Sequence, residues 1–249
     1  MFFSKKFILI ILAVISILIC GLLIYINTTL TTIFAAVLGS IVASITVSAL
    51  YNEELHNAMD KYIKIGLKNY YDNFEDAQNE IRIKISKAKK VDIYVMYADR
   101  FFNTSTKALT SLLSHENTRL RCFIYSKSNK FIAAYGNHWG AELNNSEYTS
   151  DGIVSKLENV VALISRLNEK KNNTSVMELF EIKSAPISYS FYRIDNELYF
   201  VPSKNIRSKE IKPAVFYFKK TNSEATMFSK IEAELNAMIL NKEVTKIDL

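Results

Sequence analysis

Cysteine and histidine are scarce in this chain of 249 residues, which contains two of the first and three of the second. No Cys/His pair has the spacing of a zinc site, so we expect neither a metal nor a cofactor. Cys20 lies in an apolar run and Cys122 in a strand-like run, which argues against a disulfide between them. Free, apolar cysteines are typical of a reducing compartment.

Charge is absent from the whole segment between Phe7 and Asn52. Residues 7–26 and 30–50 are each long enough to cross a hydrocarbon core of ~30 Å as a helix. The short polar link between them predicts an antiparallel hairpin of two transmembrane helices. A signal peptide is the rival interpretation of the first run, but that run is too long and a second one follows at once.

Lysines flank both ends of the hairpin, whereas the link between the runs is uncharged: Lys5, Lys6, Lys61, Lys64 and Lys68. The positive-inside rule therefore predicts that both termini are cytoplasmic, and in a bacterium such a two-span protein would lie in the inner membrane. Neither run holds an ionisable residue, which argues against a proton relay or an ion-coupled transporter.

A stripe of small residues marks the second run at helical spacing: Ala36, Gly39, Ser40, Ala43, Ser44 and Ser48. Such stripes let membrane helices approach closely. We favour packing against the first helix of the same hairpin. The alternative is an oligomer whose second helices meet around a polar path.

The rest of the chain predicts an α/β domain over residues 75–249, connected to the hairpin (residues 1–52) by a juxtamembrane helix over 53–74 that Gly66 interrupts. Strand-like runs cover 91–97, 120–126, 176–182, 187–194, 198–201 and 214–218, and helical patterns cover 103–114 and 153–167. A capping box at Thr221 and Glu224 predicts the start of a final helix, and 135–150 reads as a polar loop. This order predicts a mixed sheet covered by helices.

One motif spans two of the predicted strands, from Ser188 to Asn205. It resembles the phospholipase D signature, His-x-Lys-x4-Asp followed by a Gly-Ser-x-Asn turn. Asp195, Ser203 and Asn205 fall at matching positions, and Pro202 replaces the Gly. The resemblance covers roughly residues 75–240 and implies one phospholipase D-like half. The alternative is that Asp195 is a turn residue and Asn205 a loop cap.

The departures from that family concern its chemistry. Ser188 replaces the nucleophilic His and Ser190 replaces the Lys that holds the phosphate. A serine without a base to activate it is a weak nucleophile, and a clamp without a cation loses its charge-assisted bonds. We therefore expect no catalytic residue and a pseudoenzyme that keeps the fold.

Members of that family work with two facing motif halves, so the resemblance implies a homodimer or higher oligomer with the cleft at its centre. The cleft residues would be Ser188, Ser190, Asp195, Ser203 and Asn205. Five further residues are candidate contacts for a ligand or partner, although each alone is better explained by packing or surface pairing: Asp99, Arg100, Ser126, His138 and Trp139.

Three functions follow from these expectations. The architecture resembles two-helix membrane effectors of bacterial anti-phage systems encoded beside retron reverse transcriptases. It implies a toxin that disrupts the membrane when its cytosolic domain is released, with the lipid bilayer and a reverse transcriptase–nucleic acid complex as partners. The alternatives are a membrane-anchored phosphodiesterase and a non-catalytic tethered adaptor. Net charge is only +6 and no basic block stands out, so we expect no sequence-specific nucleic-acid binding.

Overall fold

The computed structural model describes residues 29–143, 148–203, 212–223 and 226–249, together with the isolated positions 14, 15, 18 and 25. It separates into two units, Met1–Tyr62 and Ile63–Leu249. Residues 29–62 of the first unit belong to helix α1, Thr29–Lys64, which is 36 residues long.

Helix α1 contains the second span of the predicted hairpin, residues 30–50. Among the described residues, no helix combines the length and the apolar character needed to cross a bilayer. This finding contradicts the predicted two-helix transmembrane hairpin and, with it, the two-span inner-membrane localisation. The predicted first span, 7–26, lies almost wholly outside the described residues. The second uncharged run, 30–50, is part of a helix that continues past Leu50 into a charged segment. The end of the uncharged run therefore does not coincide with the end of the helix.

Gly66 marks the entry into the sheet. Its φ of +85° lies in the left-handed region that glycine tolerates, and a Cβ at this position would lie 2.6 Å from the Lys219 carbonyl oxygen. The Gly66 carbonyl accepts a hydrogen bond from the Lys219 amide at 2.8 Å. The segment predicted as one juxtamembrane helix therefore contains the end of α1, this turn and the first strand.

The second unit is built on an eight-stranded mixed sheet with the order β1-β7-β6-β5-β2-β3-β4-β8. β2, β3 and β4 are parallel and every other pairing is antiparallel. The strands are β1 Leu67–Tyr71, β2 Lys90–Tyr94, β3 Arg119–Tyr125, β4 Val176–Ile182, β5 Tyr189–Ile194, β6 Glu197–Pro202, β7 Val215–Lys219 and β8 Val244–Ile247. The helices of this unit are α2 Phe74–Ile85, α3 Asp99–Ser114, α4 Phe131–Leu143, α5 Ser150–Glu169 and α6 Met227–Leu240.

Helices cover both faces of the sheet. Tyr192 and Arg193 are consecutive in β5 and therefore point to opposite faces. Tyr192 packs against Phe74 of α2 and Phe101 of α3, whereas Arg193 bonds Glu232 of α6. α3 and α5 lie in the crossovers β2–β3 and β3–β4, which places them on the same face by the right-handed rule.

A buried charge cluster lies on the α6 face. Asp92 is fully buried, and its Oδ1 accepts from Arg121 Nε at 2.7 Å while its Oδ2 accepts from Arg121 Nη2 at 3.0 Å. Arg193 donates to Asp92 Oδ2 through Nε at 2.6 Å and also through Nη2. Burial raises the pKa of Asp92, but the bonds from Arg121 and the charge of Arg193 outweigh it, so the net shift is downward.

Several elements differ from the sequence expectations. α4 occupies most of the segment predicted as a polar loop, and β1 and β8 were not predicted. The final helix begins at Met227, with Thr226 as its N-cap, instead of at the capping box around Thr221; the Thr226 hydroxyl accepts from the Ser229 amide at 3.1 Å. The apolar face predicted for that helix is buried as expected: Phe228, Ile231, Leu235 and Met238.

Candidate functional site

A cavity of about 360 Å³ lies where β2 ends and the chain turns into α3. The carboxyl end of a strand at a change of strand direction is where open α/β sheets bind ligands, and β2 has a parallel neighbour on one side and an antiparallel neighbour on the other. The described lining residues are Val95, Met96, Tyr97, Ala98, Tyr135, Trp139, Tyr148, Ile153, Ile187, Ser190, Tyr192 and Ser203. None of these described residues is an Asp, Glu, Lys or Arg.

Five aromatic side chains give the cavity its character. Tyr135 and Trp139 stand one helical turn apart on α4, so both reach the same side of that helix. Tyr97 follows β2, Tyr148 precedes α5, and Tyr192 comes from β5. Four separate segments therefore contribute rings to one space.

A second, more open depression of about 460 Å³ adjoins this cavity and shares Tyr135, Trp139, Ile187 and Ser203 with it. His138 and Ser188 border this depression. The rings of His138 and Trp139 are 5.2 Å apart and nearly perpendicular.

Two tyrosine hydroxyls fix the wall segment that leads into β5. The Ile187 amide donates to the Tyr125 hydroxyl at 2.6 Å, and the Tyr135 hydroxyl donates to the Ile187 carbonyl at 2.7 Å. Burial raises the pKa of Tyr125 to about 12. Burial also raises the pKa of Tyr135, and a hydrogen bond with Ser203 offsets part of that rise. Both phenols therefore remain protonated at neutral pH.

The ammonium of Lys156, on α5, contacts two of the rings. Its Nζ lies 4.7 Å from the ring centre of Tyr148 and 5.3 Å from that of Tyr97. An ammonium over an aromatic face is attracted by the ring quadrupole, by about 0.5–1 kcal/mol at exposed sites. This contact holds two cavity walls together.

Five of the predicted site residues come together here. Ser190 and Ser203 line the cavity, Ser188 and His138 line the depression, and Trp139 borders both. The Ser203 amide donates to the Ser188 carbonyl at 2.8 Å, which joins the two parts of the motif.

Asp195 lies elsewhere. It occupies the β5–β6 turn with a φ of +49°, and its Oδ1 accepts from the amides of Lys89 and Lys90 at 3.0 and 2.8 Å. At the rise of an extended strand, it is roughly 17 Å from Ser190. Asp195 therefore anchors a turn at the far end of the strand from the cavity. Asn205 lies outside the described residues.

Three other candidates are not among the described lining residues. Asp99 begins α3 and accepts from Asn103 Nδ2 at 3.0 Å. Arg100 is exposed and contributes its charge toward Glu75. Ser126 is buried, and its amide donates to the Ile182 carbonyl at 3.0 Å.

The small-residue stripe lies in α1. Ser40 Oγ donates to the Ala36 carbonyl of its own helix at 2.9 Å, so this hydroxyl bonds within α1. The remaining members are on the same helix: Gly39, Ala43, Ser44 and Ser48.

The sequence did not predict that tyrosines line the cavity. Tyr97, Tyr135, Tyr148 and Tyr192 follow no motif spacing, and each belongs to a different segment. The pairing of His138 with Trp139 was the one available signal, since these residue types are more common at sites than in ordinary loops.

In the described part of the chain, no three His, Cys, Asp or Glu side chains converge as metal ligands would. Neither a family model nor a curated protein matches the chain. Among solved structures, it is similar to TrmBL2, described as an archaeal chromatin protein with a novel mode of DNA binding. The match has 7% sequence identity and a TM-score of 0.41, and it covers 84% of this chain and 66% of that one. A likeness this low supports no functional argument, and DNA binding remains a statement about TrmBL2.

Proposed function

We propose that this chain is a non-catalytic binding module whose cavity at the end of β2 takes a small organic ligand. The single observation behind the proposal is the lining itself. Positions that correspond to a phosphodiester cleft by sequence resemblance border an aromatic cavity, and no described lining residue carries a formal charge. A volume of about 360 Å³ is at the lower end of the range for small-molecule sites.

The lack of a charged side chain among the described lining residues supports binding over hydrolysis. A phosphodiester brings a negative charge, and burying a charge without a paired group costs several kcal/mol. Ser190 can donate a hydrogen bond to a phosphate oxygen, but unlike the Lys of the family motif it brings no positive charge to pair with the phosphate.

The chain supplies its own reporter for a test. Trp139 is its only tryptophan and borders the cavity. The full chain is titrated with uncharged aromatic and aliphatic compounds while tryptophan emission and Tm are recorded. Saturable emission changes and a rise in Tm are expected.

Ser190→Leu places a larger side chain in the cavity and should abolish both responses. Ser114→Leu is the matched control, because Ser114 is exposed at the other end of α3, about 22 Å along the helix. The proposal is wrong if the wild type shows no saturable response, or if both variants respond equally.

A hydrolase is the second candidate, because His138 and Ser188 border the same depression. An imidazole is the usual base that activates a serine. The test is turnover of bis(p-nitrophenyl) phosphate and p-nitrophenyl acetate by the wild type, Ser188→Ala and His138→Gln. Turnover lost in both variants would establish the hydrolase, and equal background in all three supports the binding module.

The role as an effector of a bacterial anti-phage system stays a prediction, without its membrane part. A pseudoenzyme with a ligand cavity suits a sensor, whose state changes only if a ligand binds its two states differently. Cells carrying the gene with its genomic neighbours would be challenged with phage. Protection lost with Ser190→Leu and kept with Ser114→Leu supports this role; loss in neither variant argues against it.

The predicted homodimer and the reverse transcriptase–nucleic acid partner also stay predictions. Light scattering of the purified chain tests the first. Co-purification with the product of a neighbouring gene, before and after nuclease treatment, tests the second.

A further inference from the structure

We infer that the cavity selects an uncharged, planar aromatic ring system whose polar edge is hydrogen-bonded by Ser190 and Ser203. This inference rests on the proposed binding function and adds the chemical class of the ligand. Three properties of the cavity lead to it: its rings, its charge and the position of its hydroxyls.

Rings dominate the wall. Tyr97, Tyr135, Trp139, Tyr148 and Tyr192 all border the cavity. An aromatic ligand gains a favourable interaction with each well-placed ring beyond the burial of area. A saturated ligand of the same size gains the burial alone. A wall of this composition therefore discriminates by aromaticity.

The cavity disfavours cationic and anionic ligands alike. A cationic ligand would compete with Lys156 for the rings of Tyr97 and Tyr148, over which the Lys156 ammonium already lies. An anionic ligand would find no cationic side chain among the described lining residues. Burial of an unpaired charge is costly in either case.

Hydroxyls gather at the β5 side of the cavity. Ser190 and Ser203 both border it. The Ser190 hydroxyl can donate one hydrogen bond and accept others, and the Ser203 hydroxyl, which bonds Tyr135, can still accept. The Tyr135 hydroxyl is already committed to the Ile187 carbonyl. A ring with a polar edge would thus place its faces among the tyrosines and Trp139 and its edge against the two serines.

The test compares two probes with one carbon skeleton, 2-naphthol and decahydro-2-naphthol, which differ in aromaticity. Two charged relatives, 2-naphthoate and 2-naphthylmethylammonium, test the charge argument. Binding to the full chain is measured by calorimetry. We expect 2-naphthol to bind at least tenfold more tightly than its saturated analogue, equivalent to about 1.4 kcal/mol, and more tightly than either charged probe.

Variants separate the contributions. Trp139→Leu should bring the ratio of the two affinities toward one, whereas Ser190→Ala should weaken both probes and leave the ratio unchanged. Tyr70→Leu is the matched control for the ring, because Tyr70 is 51% exposed on β1 and should leave the ratio as in the wild type.

Equal affinity for the two alcohols, or tighter binding of a charged probe, would overturn the inference about ligand class while leaving a binding cavity in place. Failure of all four probes to bind would count against the inference and the proposed function together. A ratio left unchanged in each of the single variants Trp139→Leu, Tyr97→Leu and Tyr148→Leu would also overturn the inference, because these rings of the cavity wall would then make no contribution to the selectivity.

Discussion

Removal of the Asp92 carboxylate should be the most damaging single polar change in the sheet. In Asp92→Ala, the guanidinium groups of Arg121 and Arg193 lose their common partner while they remain about 95% buried. Breaking a buried ion pair by deleting one partner costs about 3–5 kcal/mol. A domain of this size has about 5–15 kcal/mol in total, so the variant should lose a large share of its stability.

The assay is urea unfolding followed by far-ultraviolet circular dichroism, with Tm as a second measure. For a domain of 150–250 residues, 3–5 kcal/mol corresponds to a fall in Tm of about 6–20 °C. Glu158→Ala is the control. It removes a carboxylate that pairs with Lys127 at 2.8 Å, both side chains being more than half exposed, and surface pairs of this kind contribute less than about 1 kcal/mol.

A triple variant tests the physical cause. Asp92→Leu combined with Arg121→Met and Arg193→Met removes all three charges together, and such replacements are often neutral or stabilising. We expect its midpoint to lie close to that of the wild type. A loss below about 1 kcal/mol in Asp92→Ala would refute the reasoning, as would a triple variant no more stable than the single one.

The pH dependence of this cluster has a defined sign. The pKa of Asp92 is lowered in the folded state, so its contribution is present at neutral pH and is lost as the pH falls below the ordinary carboxyl range near ~4. The stability difference between the wild type and Asp92→Asn should therefore shrink in acid. A difference that grows in acid would contradict the assignment.

Three further changes have defined outcomes. Tyr125→Phe leaves the buried Ile187 amide without its acceptor and should cost about 1–3 kcal/mol in urea unfolding; no change would contradict the bond. Burial raises the pKa of the Cys122 thiol, so in a Cys20→Ser background a thiol reagent should react only after unfolding. Burial raises the pKa of Glu80, but bonds led by that from Lys84 lower it to about 2. The wild type should lose stability between pH 4.5 and 2, and Glu80→Gln should lose less.

The central strands were predictable because burial made them distinctive. Val91–Tyr94 and Leu120–Tyr125 are apolar and aromatic except for one charged residue each, Asp92 and Arg121, as expected for parallel strands covered on both faces. The edge strands gave no such signal. Leu67–Tyr71 is exposed at three of its five positions, so it lacks the alternation that marks a half-buried strand.

The membrane expectation failed for a different reason. A long uncharged run does not show where a helix ends. Helix α1 continues from that run through Glu53 and Glu54 to Lys64. The segment around Trp139 failed in the opposite way. Its glycines and asparagines resembled a loop, but α4 runs through it to Leu143.

The cavity was only partly predictable. Ser188, Ser190 and Ser203 were located by motif spacing, because neighbouring strands β5 and β6 bring their open ends together. The tyrosines were not located, since Tyr97 and Tyr148 are distant in the sequence and meet only through the crossover that places α5 beside α3.

Asp195 has a structural role, the binding of two backbone amides, that is separate from any chemistry at the cavity. The carboxylate keeps the β5–β6 hairpin attached to the start of β2, and this task is independent of what occupies the cavity at the opposite end of the strand. An aspartate at this position therefore indicates how the β5–β6 hairpin is attached to β2. It gives no information about whether a substrate is cleaved at the cavity.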